Sequence, residues 1–224
     1  GHAGEPALSR AMGRSFRHNE QSLRVVDVLL KNGQGLNLTN QVREGIYMHS
    51  KARRDITITA WGNASTLEGQ IIKIADAIAY INHDIDDAIR AGILTEDDLP
   101  AAEIELLGPT GSARIDTLVR DIVHTSRAVG DIAQSEEIGG AMLRLRKFMF
   151  DRVYLGPEAR SEHERVQRTL RTLFDHYVAN PDEIPEGAGR GDEVQRATDY
   201  IAGMTDRFCI ATFRRLALPE QSRL

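Results

Sequence analysis

The chain has one cysteine among its 224 residues, no long apolar run and no excess of positive charge. Cys209 cannot form a disulfide within the chain or build a cysteine-ligated zinc site, which favours a reducing compartment. No stretch approaches the roughly 18 consecutive apolar residues of a membrane-spanning helix, and the first residues lack the charged and apolar segments of a secretory leader. These absences predict a cytoplasmic protein without a membrane segment.

The charge balance also excludes a class of partner. Lys and Arg number 28 and Asp and Glu number 33, so the formal net charge is −5. No basic block is present that would bind a nucleic-acid backbone. With 41% hydrophobic and 27% charged residues, the composition is that of a folded globular protein with one sizeable domain or two small ones.

Helical spacing dominates the sequence. Isoleucines recur every three or four residues from Ile71 to Ile89, which is the spacing of one apolar helix face. This helix is predicted to begin after Ser65–Glu68, where Ser and Glu are spaced as in a capping box, and to end near Gly92. Only residues 55–61 alternate as a strand would, so the predicted fold class is all-α. Further helices are predicted over residues 21–30, 115–129, 136–153, 161–178 and 192–216.

Two stretches rich in glycine and proline interrupt the helical pattern, at residues 108–112 and 180–191. The second stretch is predicted to be a surface loop. Residues 1–179 then form the main domain, and residues 192–224 form a C-terminal helix packed on it, because that tail is too short to hold its own core.

Polar residues on the long helix are candidates for a binding site. Asp76, Tyr80 and Asp84 are spaced by four, which places them in one stripe away from the isoleucine face. Such a stripe could hold a metal ion at one end and a polyhydroxyl ligand at the other, or it could be an ordinary solvated face. Arg146 and Tyr154, eight residues apart, are candidate phosphate and base contacts, with a solvated helix face as the alternative.

The seven histidines include no pair with the HExxH spacing of a helix-borne zinc site, so no self-sufficient metal site is predicted. His2 and Glu5, three residues apart, could transfer protons as a pair, or His2 could belong to a tag remnant. Residues 16–24, including His18 and Asn19, concentrate polar side chains at a predicted helix start. They could face an anionic ligand or simply cap the helix.

Five strings in the sequence occur in a recognisable order: GHAGE at 1–5, FRHNEQSLRVVD at 16–27, GLNLTNQVREGI at 35–46, TLEGQIIKIADAIAYINHDIDDAIRAGIL at 66–94 and DYIAGMTDRF at 199–208. Together they resemble the deoxyguanosine triphosphate triphosphohydrolase-like branch of the HD-domain phosphohydrolases, over nearly the whole chain. The resemblance implies the C-terminal portion of an HD-domain-like helical bundle. It also implies metal-dependent hydrolysis of a deoxynucleoside triphosphate (dNTP) to the deoxynucleoside and inorganic triphosphate.

The resemblance implies roles for the residues at the start of the chain. His2 and His18 resemble the catalytic histidines near the α-phosphate, and Glu5 resembles the carboxylate that orients one of them. Asn19 is carried over as a substrate contact.

The resemblance also implies roles on the later helices. Asp76 resembles one ligand of a divalent metal, Mg or Mn with Ni, Fe or Co as alternatives. The family's other three ligands, a His and a His-Asp pair, precede the GHxGE string and have no counterpart in these 224 residues. Tyr80 and Asp84 resemble the pair that recognises the sugar 3′-hydroxyl, and Arg146 and Tyr154 resemble further substrate contacts. Ala77 stands where some relatives place a phosphate-binding Lys.

On this resemblance the chain is expected to be an inactive fragment of a dNTP triphosphohydrolase that does not retain the metal by itself. A homo-oligomer is implied as well, whereas the preferred base is left open. The alternative is a nucleotide-binding or oligomerisation module without catalysis.

Overall fold

The computed structural model describes residues 3–50, 64–154 and 156–217, and within these ranges it contains helices and turns but no β-strand. The predicted all-α fold class is confirmed, and the strand-like residues 55–61 lie outside the described ranges. None of the described helices has the length and apolar character that crossing a membrane requires. The α-helices are α1 (Gly4–Met12), α2 (His18–Arg24), α3 (Leu30–Gly33), α4 (Asn40–Met48), α5 (Leu67–Arg90), α6 (Ala101–Leu107), α7 (Gly111–Val129), α8 (Glu136–Met149), α9 (Pro157–Ala179), α10 (Glu193–Ala202) and α11 (Asp206–Ala217).

Short helical segments of other types connect these helices. Two π-helical segments, Val25–Leu29 and Phe150–Tyr154, follow α2 and α8 directly. Single 3-10 turns cover Glu96–Asp98 and Pro181–Glu183.

The chain forms two compact units. Unit 1 comprises residues 1–38 and 161–224, and unit 2 comprises residues 39–160. Each unit has a hydrophobic core of its own. The domain boundaries predicted at residues 179 and 192 stay predictions.

The centre of unit 2 is α5, whose isoleucines pack against α7 and α8. Ile74, Ile78, Ile81 and Ile85 are buried in the core, which confirms the predicted apolar face. Ile71 is 45% exposed, so the buried stripe begins one turn later than the spacing predicted. Leu118 of α7 and Met142 and Leu145 of α8 complete the core.

The start of α5 differs from the sequence-based prediction. Thr66, not Ser65, is the N-cap, and its hydroxyl accepts a hydrogen bond from the amide of Gly69 at 3.1 Å. Ser65 instead donates its hydroxyl to Glu44 of α4. The predicted end is confirmed, since α5 stops at Arg90 and Gly92 adopts a φ of +70°, a left-handed conformation that glycine takes without strain.

A buried arginine ties α5 to α7. Arg114 donates from Nε to Asn82 Oδ1 of α5 at 2.8 Å, and its Nη2 lies 3.6 Å from Asp86. Burial lowers the pKa of Arg114. Asn82 lies about 200° around α5 from Tyr80, so this contact holds the side of the helix opposite the polar stripe.

Unit 1 has a core of side chains from α1, α9 and α10, with Leu8, Leu173, Phe174, Tyr177 and Ile201 among its buried members. The single helix predicted over residues 192–216 is wrong, because α10 ends at Ala202 and α11 begins at Asp206. The break has a local cause: Gly203 disfavours a helix interior, and the Thr205 hydroxyl accepts from the amide of Phe208 at 3.2 Å, as a helix cap does.

The helix predicted over residues 21–30 is present as far as Leu29, but it changes type within its length. After α2 the chain continues as the π-helical segment, and Lys31 and Asn32 adopt left-handed φ values of 53° and 54°. α2 and this segment therefore form one short helical run from His18 to Leu29, which ends at the extended residue Leu30.

Candidate functional site

The structure brings Glu5 and His18 together in unit 1. Glu5 Oε1 accepts a hydrogen bond from the backbone amide of His18 at 3.2 Å, and Oε2 lies 3.6 Å from Nδ1 of the imidazole. The His18 side chain is 53% exposed, so its ring is accessible to a ligand. Glu5 thus orients His18, whereas His2, the other candidate partner of Glu5, lies outside the described residues.

The beginning of α2 has no side-chain cap of its own. Arg17 occupies the N-cap position without a capping hydrogen bond, so residues 16–24 do not form the simple cap that was one interpretation of their sequence. The acceptor for the first helical amide is the Glu5 carboxylate, which comes from α1. Asn19 is buried, at 4% exposed, and its role in substrate binding stays a prediction.

A second group of predicted residues meets in unit 2. The Tyr154 hydroxyl donates a hydrogen bond to the Asp84 carboxylate, although 70 residues separate them in sequence. The rings of Tyr80 and Tyr154 have centroids 6.2 Å apart and are tilted by 34°. We call Tyr80, Asp84 and Tyr154 the tyrosine–aspartate cluster. Two phenols beside one carboxylate offer donors and an acceptor next to aromatic faces, which suits a sugar with a free hydroxyl.

The surroundings of Asp84 perturb its ionisation. Burial raises its pKa from 3.8 to about 6, the negative charge of Asp87 adds to the rise, and His83 opposes it. Tyr154 reaches Asp84 from the π-helical segment after α8, where Phe150 packs edge-on against it at a centroid distance of 6.1 Å.

The remaining candidates of unit 2 are placed separately. Asp76 is exposed on α5, one turn before Tyr80. In the part of the chain that the structure describes, no group of three His, Cys, Asp or Glu side chains could hold a metal ion, so these described residues do not form a metal centre around Asp76. Arg146 lies half-buried on α8, and burial lowers its pKa.

The sequence pattern gave no role to one residue that the structure singles out. Asp199, in the DYIAGMTDRF string, is buried and accepts hydrogen bonds from α2. The sequence singled out Asp199 only as a member of that string. Its contacts with α2 join residues about 175 positions apart, so local spacing could not predict them.

Comparisons with known proteins agree with the strings in the sequence. Residues 132–215 match a family model described as a phosphohydrolase-associated domain. The chain is 44% identical, over 98% of its length, to the deoxyguanosinetriphosphate triphosphohydrolase-like protein of Caldanaerobacter subterraneus subsp. tengcongensis. It is 43% identical, over the same share, to the protein of that name from Clostridium perfringens strain 13.

The chain is shorter than these relatives. It spans 63% of the Caldanaerobacter protein and 65% of the Clostridium protein. A protein of the same name from Bordetella parapertussis is 33% identical, and the chain spans 70% of it. Because the chain is 33% identical to a relative of which it covers 70%, it belongs to the deoxyguanosinetriphosphate triphosphohydrolase-like family.

Proposed function

We propose that the protein containing this chain hydrolyses deoxynucleoside triphosphates to the deoxynucleoside and inorganic triphosphate. The observation that carries the proposal is the tyrosine–aspartate cluster, because it assembles the residues predicted to contact the sugar and base from two distant parts of the chain. The name shared by the relatives supports the same nucleotide class.

The cluster is proposed to bind the deoxyribose. The 3′-hydroxyl donates to the Asp84 carboxylate and accepts from a tyrosine hydroxyl, so that one ligand group satisfies both partners. A carboxylate with a pKa of about 6 is predominantly ionised at neutral pH and therefore accepts this hydrogen bond. Arg146 and Asn19 are proposed as further substrate contacts.

Proton transfer is proposed for His18. Water adds to the α-phosphorus and the bond from phosphorus to the 5′-oxygen breaks. The departing 5′-oxygen takes a proton from the imidazolium, and the proton given up by the water restores the imidazolium. Glu5 keeps the ring oriented for that transfer. His2 is proposed as a second catalytic histidine on the resemblance alone.

Dependence on a divalent metal is proposed on the resemblance alone, with Asp76 as one ligand. One carboxylate cannot hold a catalytic divalent ion, because such sites need several ligands in fixed geometry. We therefore expect the 224 residues alone to release no triphosphate. In the protein containing them, we expect a chelator to abolish activity and Mn²⁺ to restore it.

The reaction is tested by ³¹P NMR of the protein containing this chain, incubated with each of the four dNTPs and Mn²⁺. Tripolyphosphate as the product supports the proposal. Pyrophosphate or orthophosphate as the first product contradicts it, and tight dNTP binding without turnover supports the alternative, a nucleotide-binding module. A homo-oligomer is proposed on the resemblance alone, and light scattering on the same sample tests it.

The sugar contact is tested with Asp84→Asn and a substrate that lacks the 3′-hydroxyl. The unaltered protein should favour dGTP over 2′,3′-dideoxy-GTP by about 10- to 100-fold in kcat/KM, the value of a hydrogen bond to a charged group. Asp84→Asn should lose most of that preference. Asp116→Asn, which alters an exposed carboxylate on α7, is the matched control and should retain it. Equal preference in all three proteins would contradict the assigned role of Asp84.

A further inference from the structure

Asp199 of α10 is a buried carboxylate that the proposed reaction does not use. Its side chain is 0% exposed, and its two oxygens accept five hydrogen bonds. Gln21 Nε2 donates at 3.1 Å, Arg24 Nε and Nη2 at 2.6 and 2.7 Å, the backbone amide of Arg190 at 3.1 Å and Gln195 Nε2 at 3.0 Å. We call these five residues the Asp199 cluster.

Most of these bonds come from α2. Gln21 supplies one and Arg24 supplies two in a bidentate arrangement, so three of the five donors belong to that helix. Burial raises the pKa of Asp199, but the hydrogen bonds from Arg24, Arg190, Gln21 and Gln195 outweigh it and hold the pKa below its ordinary value. Asp199 is therefore a permanent anion around which the α2 side chains are arranged.

The same residues also hold the chain that follows α2. Arg24 Nη2 donates to the carbonyl of Arg190 at 2.5 Å, and Arg190 Nη2 donates to the carbonyl of Asn32 at 2.8 Å. Gly33 lies against this guanidinium, and a Cβ there would come within 1.9 Å of it. Contacts with residues 190–199 thus hold both α2 and α3.

α2 needs such contacts to have a defined position. Together with the π-helical segment it forms only a short helical run, from His18 to Leu29, and the acceptor for its first amide comes from Glu5 on α1. A helix this short is not stable by itself, so tertiary contacts determine its position and rotation. His18 is its first residue, and Gln21 lies one turn later on the same face.

We propose that Asp199 is a positioning residue for His18: through Gln21 and Arg24 it sets the rotation and axial position of α2, so that His18 meets Glu5. The contact of His18 with Glu5 is the immediate consequence and does not depend on the reaction. The effect on catalysis rests on the proposed function, since displacement of a proton donor by about 1 Å can lower a rate by about 100-fold.

Amide hydrogen exchange of the 224-residue chain tests the positioning directly. Gln21→Ala removes a donor to Asp199 Oδ1 on α2, whereas Gln195→Ala removes a donor to the same oxygen on α10 and serves as the matched control. Gln21→Ala should accelerate exchange of the His18 amide about fivefold, the value of one hydrogen bond, and leave the Tyr177 amide in the unit 1 core unchanged. Gln195→Ala should change the His18 amide by less than about twofold. Equal effects of the two variants, or uniform acceleration throughout unit 1, would overturn the proposal.

Stronger variants add a kinetic test in the protein containing this chain. Arg24→Lys keeps the charge but loses the bidentate contact, and should lower kcat about tenfold with little change in KM. In a His18→Ala background, Arg24→Lys should lower kcat by less than about twofold, because the group it positions is absent. An undiminished loss in that background would show that Arg24 and Asp199 act on stability alone. If exchange at His18 responds as expected but no dNTP is hydrolysed, the proposed function fails and the positioning of His18 stands.

Discussion

At the scale of single residues, Asp84 combines a cost to folding at neutral pH with a place in the candidate site. Burial raises its pKa from 3.8 to about 6, which means that the folded chain binds this proton more tightly than the unfolded chain does. Protonation of Asp84 therefore stabilises the folded chain. This contribution is fully present below a pH of about 3.8 and is lost as the pH rises through about 6. A carboxylate kept at such a position disfavours folding at neutral pH, as expected of a group retained to bind a ligand.

We expect the free energy of unfolding of Asp84→Asn, relative to the unaltered chain, to increase between pH 4 and pH 7. The full pKa difference corresponds to at most about 3 kcal/mol, since one pKa unit is worth about 1.4 kcal/mol. Urea denaturation at pH 4, 5.5 and 7 measures the change. Asp116→Asn, at an exposed pair, should shift stability by less than about 1 kcal/mol at each pH. A difference between Asp84→Asn and the unaltered chain that does not vary with pH would contradict the raised pKa.

At the scale of elements, the long helix α5 carries the polar stripe, and its first turn is held by Thr66. The hydroxyl of Thr66 accepts from the amide of Gly69, while the neighbouring Ser65 contacts Glu44 on α4. Both residue types favour N-cap positions, so their order in sequence does not decide between them. The packing of α4 against α5 engages Ser65 elsewhere and leaves the cap to Thr66.

Thr66→Ala should lower the free energy of unfolding by about 1 kcal/mol, the usual loss for an N-cap. Ser65→Ala removes an exposed side-chain contact and should cost less than about 0.5 kcal/mol. Urea denaturation of the two variants measures both values. If Ser65→Ala lowered the free energy of unfolding more than Thr66→Ala does, Ser65 would be the N-cap, in the capping box with Glu68 that the sequence pattern predicts.

At the scale of the whole molecule, the two units have separate hydrophobic cores. Ile85 is completely buried in the core of unit 2, and Leu173 is completely buried in that of unit 1. No buried residue belongs to both cores among those that the structure describes. Regions with separate cores can open separately, and amide exchange detects such local unfolding.

Ile85→Ala and Leu173→Ala should each lower the stability of their own unit by about 2–5 kcal/mol, through lost burial and a cavity. Amide exchange should therefore accelerate in α5, α7 and α8 for the first variant and in α9 and α10 for the second. Val129→Ala, at an exposed position of α7, should change exchange little in either unit. If either core variant accelerated amide exchange equally in both units, the two units would unfold together as one cooperative unit.

Short-range spacing was sufficient to predict the all-α fold, the apolar face of α5 and its end near Gly92, because these features depend on neighbours within about one or two helical turns. The five strings were likewise sufficient to identify the family. Packing between distant segments decided the rest: Tyr154 against Asp84, Glu5 beside His18, and Asp199 beneath α2. A carboxylate, a phenol or an imidazole in sequence offers several hydrogen-bonding partners, and only the arrangement of the helices selects which one lies within reach.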